Sequence, residues 1–341
     1  MIQEVKSITT FFLLSEAERN ALCASKKGIE KPNFIENEHM EIVDGVLVKY
    51  TEEPGMTEVV IPKGVTSIGK RAFINCRNLT SITIPESVTT IGDGVCVFDY
   101  CESLTSIEVS SNNSKYASSG GVLFDKNFSR LIRCPEGKSG SYTLSKNVME
   151  IGHDAFVNCR NLTSITIPES VTTIGTYAFH NCEKLTSIII PKSVTSIGDG
   201  VFWRCRLLTN IDIPESVTTI GEMSFYNCEK LTSIIIPKSV TSIGEYAFKN
   251  CEKLTSIIIP KSVTSIGDGV FWGCRLLTNI DIPDSVASIG KYAFNSCSSL
   301  TSIIIPKSVT SIGEYAFKNC EKLTSIIIPK SVTSIGDGVF W

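Results

Sequence analysis

The sequence predicts an α/β repeat fold: one right-handed solenoid of stacked coils, with a parallel β-sheet on the concave face and short helical turns or irregular legs on the convex side. Three observations carry this. Proline recurs at 168, 191, 214, 237, 260, 283, 306 and 329, a spacing of 23 residues without a slip, and Pro62 to Pro85 adds another step. The stretch SIIIPKSVTSIG begins at Ser187, Ser233, Ser256, Ser302 and Ser325 without a change. Within each interval, apolar residues two apart precede the proline and apolar residues three apart follow it, as a strand and then a corner demand.

Composition narrows the function classes. The chain has 32 Lys and Arg against 35 Asp and Glu, a formal net charge of −3, so no basic excess points to nucleic acid. Only 20% of residues are charged, and polarity is carried by Ser and Thr, as suits strands. No run of eighteen apolar residues occurs, so membrane insertion within this chain is not expected. The opening MIQEVKSITTFFLL has one Lys, one Glu and a short apolar core, a poor match to a secretory signal.

Residues 1–38 form a flank. Ser15 followed by Glu18 has capping-box spacing and predicts a short helix over 16–25, ended by Pro32 and Asn33. The repeat solenoid is expected over 39–341. At its start, EIVDGVLVKY and TEVVIP predict a capping hairpin over about 41–61, turned at Pro54-Gly55 and covering the open core of the first coil.

Each later unit reads L-T-S-I-x-I-P-x-S-V-T-x-I-G-x-x-A-F-x-x-C-x-x, and the period falls in the leucine-rich-repeat range. In the unit from Leu162, the inward set is Leu162, Ile165, Ile167, Val171, Ile174, Ala178, Phe179 and Cys182. Gly175 opens a second corner, and TYAFHN leaves room for a turn or two of helix. Stacking the units places their strands in one parallel sheet about 4.8 Å apart.

Over about 110–145 the period breaks, and GGVLF and RLIRC, separated by DKNFS, predict an inserted hairpin that protrudes from the stack or bends it. A longer period overlies the first. Trp203, Trp272 and Trp341 are 69 apart, and residues 192–260 and 261–329 differ at 11 of 69 positions, which implies duplication of a three-coil block rather than constraint on single catalytic positions. The last unit stops at Trp341, before its Cys. A solenoid needs a polar cap there, so a longer chain, a disordered last coil or a subunit contact is expected at that end.

The unit, above all IPESVTTIGTYAFHNCEKLTSI, resembles the BspA-like, or Treponema pallidum-type, leucine-rich repeat over roughly 41–341. The DGVLVKY…TEVVIPKGVTSIGKRAF opening and the NNSKYASSGGVLFDKNFSRLIRCP insert are similar to that family too. The resemblance implies a surface or secreted protein that binds a protein ligand, such as a host-matrix or cell-surface protein, with no catalytic residues and no cofactor. The poor signal-peptide match leaves an intracellular interaction scaffold as the alternative.

Eight of thirteen cysteines, Cys159, Cys182, Cys205, Cys228, Cys251, Cys274, Cys297 and Cys320, keep the 23-residue spacing, with Cys76 and Cys101 at equivalent sites. None makes a C-x2-C pair, so no metal site is expected. In-register neighbours about 4.8 Å apart are too far for disulfides, whose Cβ atoms sit about 3.8 Å apart. A column of reduced, buried thiols is therefore expected, with Cys96 and Cys134 outside it. The histidines, His39, His153 and His180, fall at unrelated positions, so an enzyme would need a convergent polar cluster in the insert, and an apolar hairpin there argues against one. Of four N-x-S/T sequons, Asn112 and Asn127 are better placed for glycosylation than Asn78 and Asn161, each of which precedes a core Leu.

The middle residue of S-I-x-I points away from the core. It supplies the candidate protein-binding column Thr166, Ile189, Asp212, Ile235, Ile258, Asp281, Ile304 and Ile327, preceded by Thr83 in an earlier unit. Lys192, Lys238, Lys261, Lys307 and Lys330 lie along its edge. Exposed isoleucine in a strand reflects either β-propensity or a binding strip. A second column, His180, Trp203, Tyr226, Lys249, Trp272, Asn295, Lys318 and Trp341, either offers aromatics to solvent or packs on the next coil.

Overall fold

A computed structural model describes residues 39–92 and 96–341 of the protein; the helix expected over 16–25 lies outside the described residues. The S-I-x-I segments build a column of parallel strands in two runs, Glu58–Val60 with Ser81–Ile84 and Ser106–Val109 before the insert, and Asn161–Thr166 through Ser233–Ile235, Ser256–Ile258 and Asn279–Asp281 to Ser302–Ile304 after it. Single bridges from Ile189 to Asp212, Asp212 to Ile235 and Ile304 to Ile327 carry the register between sheets. Each residue faces its counterpart one unit on: Ile234 meets Ile257, and Ile280 meets Ile303. A second column forms from the T-x-I segments, such as Ser196–Ile197 paired with Thr219–Ile220 and that with Ser242–Ile243.

The inward residues of both columns are buried, as the spacing requires. Ile188 and Ile190 are core while Ile189 between them is not, and Val194, Ile197 and Phe202 complete that layer. From Phe156 to Phe317 the eight unit phenylalanines stack in one file, successive ring centroids 5.2–5.8 Å apart. Such offset aromatic stacks stabilise beyond their buried area.

Among the described residues there is no helix, which corrects the helical turn expected at TYAFHN. Two residues per unit are left-handed, for example Tyr177 at φ 56° and Asn181 at φ 64°. That breaks a right-handed helix twice in five residues. Alternate N–H groups close tight turns, Ala178 to the Gly175 carbonyl and His180 to that of Tyr177. The others donate to the next coil, Tyr177 to Asp199 (2.9 Å), Phe179 to Val201 (2.9 Å) and Asn181 to Trp203 (2.7 Å). This third ladder keeps the strand rise of about 4.8 Å, whereas packed α-helices need 8–10 Å.

Two glycine positions are forced by neighbours. At the IG corner a Cβ on Gly244 would lie 2.4 Å from the Glu222 nitrogen of the preceding coil. Gly269 occupies the left-handed site that holds tyrosine in other coils, and a Cβ there would sit 2.4 Å from the Tyr246 ring. Tyr177 over Gly200 and Tyr315 over Gly338 repeat the pairing. Where a coil carries glycine at this site, the tyrosine of the preceding coil fills the space, whereas Tyr292 and Tyr315 stack on each other at 5.2 Å. Gly269→Ala is expected to destabilise by about 2 kcal/mol, the order of an overpacked core site, and Tyr246→Ala in the same chain should return the overpacking part, leaving the backbone cost of Ala at positive φ. Additive losses in urea unfolding would show that the ring is not the cause.

The first hairpin differs from the expected one. Met40–Val43 and Val46–Tyr50 pair antiparallel about Asp44 (φ 49°) and Gly45 (φ 76°), a turn that suits twisted strands. Pro54-Gly55 does turn the chain, but it leads to Glu58–Val60, which joins the other column. The Asp-Gly pair was the stronger hairpin signal. Val46–Tyr50 then pairs in parallel with Ser67–Ile68 and so continues the stack.

In the insert, Tyr116–Ser119, Val122–Asp125 and Arg130–Arg133 form an antiparallel set, and Arg130–Arg133 pairs in parallel with Glu150–Ile151. It does not protrude; it is spliced into the second column. Val122 and Phe124 enter the large C-terminal core, whereas Leu123 enters the N-terminal one. A single strand thereby partitions the interior in two.

Candidate protein-binding face

The predicted column is present as one exposed file. Ile189, Ile235, Ile258, Ile304 and Ile327 are 72–84% exposed, and Thr166, Asp212 and Asp281 are exposed between them. Backbone pairing of Ile235 with Ile258, Ile258 with Asp281 and Asp281 with Ile304 places neighbours on adjacent rungs. Seven strand spacings from Thr166 to Ile327 make a strip about 34 Å long.

The flanks carry more than the sequence reading assigned. Lys238 and Lys261 follow the strip, as predicted, and Lys230 and Lys253 precede it; all four are exposed and make no ion pair among the described residues. The missed signal was the Glu-Lys pair before Leu231 and Leu254. Rung and flank change together: every Ile rung has Lys three residues on, whereas Thr166, Asp212 and Asp281 have Glu169, Glu215 and Asp284.

The second column packs on neighbouring coils and is half-buried from His180 to Trp272 and at Lys318, with Asn295 buried and Trp341 78% exposed. His180 stacks on Trp203 at 4.5 Å between ring centroids, and Trp272 on Tyr292 at 5.0 Å. Lys249 Nζ lies 3.6 Å from the Trp272 ring centroid, with Tyr226 and Tyr246 at 5.3 and 5.2 Å. Burial lowers the His180 pKa to about 4, so its ring stays neutral in the stack. These aromatics are turned towards each other.

The thiol column is buried and reduced. Cys182, Cys205 and Cys228 each donate to a phenylalanine carbonyl 26 residues back, at 3.2 Å. Burial pushes the Cys182, Cys228, Cys251 and Cys297 thiols well above their usual range. Cys134 is also buried and lies beside Cys159, whose thiol donates to the Cys134 carbonyl at 3.6 Å. Among the described residues no His, Cys, Asp and Glu cluster is arranged to hold a metal ion, and no helix is long and apolar enough to cross a membrane. Leu79 and Leu162 are buried as expected, but Asn78 and Asn161 beside them are exposed, as are Asn112 and Asn127, so exposure does not separate the four sequons.

The insert answers both ways the question put to it. Its central strand is apolar on both faces, yet Arg133 at the end of the third strand and Glu136 just beyond it are buried ionisable groups. Arg133 Nη2 donates to Asp99 (2.9 Å) and Glu136 (3.1 Å), and its Nη1 to the Asp154 carbonyl (3.2 Å). Glu136 Oε1 also accepts from the Tyr100 N–H (3.0 Å) and the Asn158 amide (3.1 Å). His153 bonds Asp154 (2.9 Å) and the Thr176 hydroxyl. The carboxylates are spent on holding the two halves of the stack together.

A profile of the BspA-type leucine-rich-repeat region matches residues 50–127, 136–252 and 218–341, in six copies. The chain belongs to the BspA-type leucine-rich-repeat family. Among solved structures, a leucine-rich-repeat protein of T. pallidum is 28% identical, covering 57% of this chain and 90% of its own, with a TM-score of 0.47. A leucine-rich cell-surface protein of Faecalibacterium prausnitzii is 26% identical, covering 87% and 95%, with a TM-score of 0.49. One from Bacteroides ovatus is 27% identical, covering 91% and 90%, with a TM-score of 0.47. No curated protein sequence matches the chain. The BspA-type repeat accounts for the ladders and the core, and leaves the outward column free to vary.

Proposed function

We propose that this BspA-type chain is a non-catalytic, adhesin-like surface protein that binds a protein ligand through the Thr166–Ile327 column. The observation that carries the reading is the file of five isoleucines, each at least 72% exposed and held in register by the ladder. A contiguous exposed apolar strip marks an interaction site on a soluble surface. β-Propensity accounts for Ile in a strand, and duplication of the three-coil block copies each rung with its flank; the binding reading adds why these apolar rungs stay exposed. Surface placement rests on the family. The thiol column does not favour the intracellular alternative, because buried, protonated thiols resist oxidation in either compartment.

Ile235→Asp with Ile258→Asp is expected to weaken capture of the native partner at least about tenfold, the cost of losing one interface anchor, with unchanged circular dichroism and thermal midpoint. Unchanged capture by a folded variant would remove the strip from the site. Recovery of the native protein solely in the cytosolic fraction would replace the surface reading with the scaffold one.

A further inference from the structure

We infer that the double rung Ile235/Ile258 receives an acidic amphipathic polypeptide segment, whose apolar side chains meet the isoleucines while its carboxylates reach the lysines on either side. This rests on the protein-binding reading and names the chemistry of its partner. The two isoleucines sit side by side in the ladder, 72% exposed each. Lys230 and Lys253 lie before them in the chain and Lys238 and Lys261 after, all exposed and outside any ion pair among the described residues. Some lysines are neutralised, Lys63 by Glu86 at 3.3 Å and Lys291 by Glu314 at 3.3 Å, whereas these four stay unpaired among the described residues. Ile235 and Ile258 are the one pair of adjacent isoleucine rungs in which each isoleucine carries Lys both before and after it. In a protein of net charge −3, the four exposed lysines stand on the two rungs of this apolar patch, while the carboxylates of the column lie on the rungs to either side. Positive charge so placed selects an anionic partner and speeds its arrival.

An anionic lipid surface has the same charge, but the strip argues against it. Asp212 and Asp281 bracket the double rung in the same column, and Glu215 and Asp284 flank them. A flat anionic surface laid on the strip would meet those carboxylates, whereas a short segment fits between them. The same acidic rungs set the width of the site at two coils, about 10 Å.

The test uses short synthetic peptides in which Leu alternates with Glu, Lys or Ser, fluorescently labelled and titrated with the whole chain. The Leu/Glu peptide should bind, and its affinity should fall about tenfold with Lys238→Ala plus Lys261→Ala and again on adding salt, as exposed charge pairs are screened. Ile235→Ser plus Ile258→Ser should abolish binding, and the Leu/Lys peptide should not bind. Equal affinity for Leu/Glu and Leu/Lys, or an unaffected lysine variant, would overturn the inference. If the lysine variant still captures the native partner while the isoleucine variant does not, the binding strip stands and the acidic partner falls. Cosedimentation with phosphatidylserine vesicles in the absence of peptide binding would overturn it as well.

Discussion

Replacing Arg133 with alanine is expected to destabilise the seam between the two cores by about 3–5 kcal/mol, the cost of leaving a buried charge without its partner. Asp99 is contributed by the N-terminal half, and Asp154 and Asn158 by the C-terminal half; the guanidinium bonds to both, as does Glu136, which accepts from the Tyr100 N–H and the Asn158 amide. Alanine would strand Glu136 at 3% side-chain exposure with only the Tyr100 N–H and the Asn158 amide for partners. Removing the charges together should cost far less: Arg133→Met with Glu136→Leu and Asp99→Asn replaces ions with packed volume, which is often neutral. Hydrogen exchange across 97–160 reads the loss directly, and unchanged protection in Arg133→Ala would mean that the network does not hold the seam.

The same variant carries a pH signature. Burial pushes the Glu136 carboxyl up to about 7 from 4.5, against the pull of Arg133 and the Asn158 amide. A folded pKa above the unfolded one means that proton binding stabilises the folded state. That contribution is complete below about 4.5 and is lost as pH rises through about 7. Without Arg133 the carboxyl moves higher still, so Arg133→Ala should be tolerated better at pH 5, where Glu136 is neutral in both chains, than at pH 8. A loss independent of pH would place the cost in Arg133 packing alone.

The core and the outward column were legible in the sequence because a side chain's direction in a strand follows from parity. Ile188 and Ile190 had to face one way once Ile189 faced the other, and 23-residue spacing fixed the register. The turn side was not legible from hydrophobic spacing, because A-F-x-x-C fits a helical face and a tight turn alike. Its signal lay in Asn before Cys, at 158, 181, 227, 250 and 319, a residue type that tolerates the left-handed φ observed there. The seam was hidden for another reason. Asp99 and Asp154 occupy variable positions of their units and Arg133 lies in the insert, so no 23-residue spacing relates them and only the inserted strands bring them together. Lys230 and Lys253 were overlooked because each lies in a Glu-Lys pair that reads as ordinary solvated charge.

Phe248→Ala should cost about 3–5 kcal/mol, the range for deleting a buried phenylalanine, and its effect should stop at the partition. Phe248 is fully buried between Phe225 at 5.3 Å and Phe271 at 5.8 Å, and its carbonyl accepts the Cys274 thiol at 3.2 Å. In a solenoid each coil touches only its neighbours, so the cavity weakens two interfaces and the ladder through them. Phe73 holds the matching place in the smaller core, stacked on Phe98 at 5.8 Å and against Tyr50 at 5.4 Å. Because Val122–Asp125 sends Leu123 to one core and Val122 and Phe124 to the other, no aromatic file crosses it. Hydrogen exchange on Phe248→Ala should therefore rise around 225–294 and stay at parent levels over 40–92, with Phe73→Ala giving the reverse. Loss of protection across both regions in either variant would show that the inserted strand transmits unfolding, and the two cores would then be one cooperative unit.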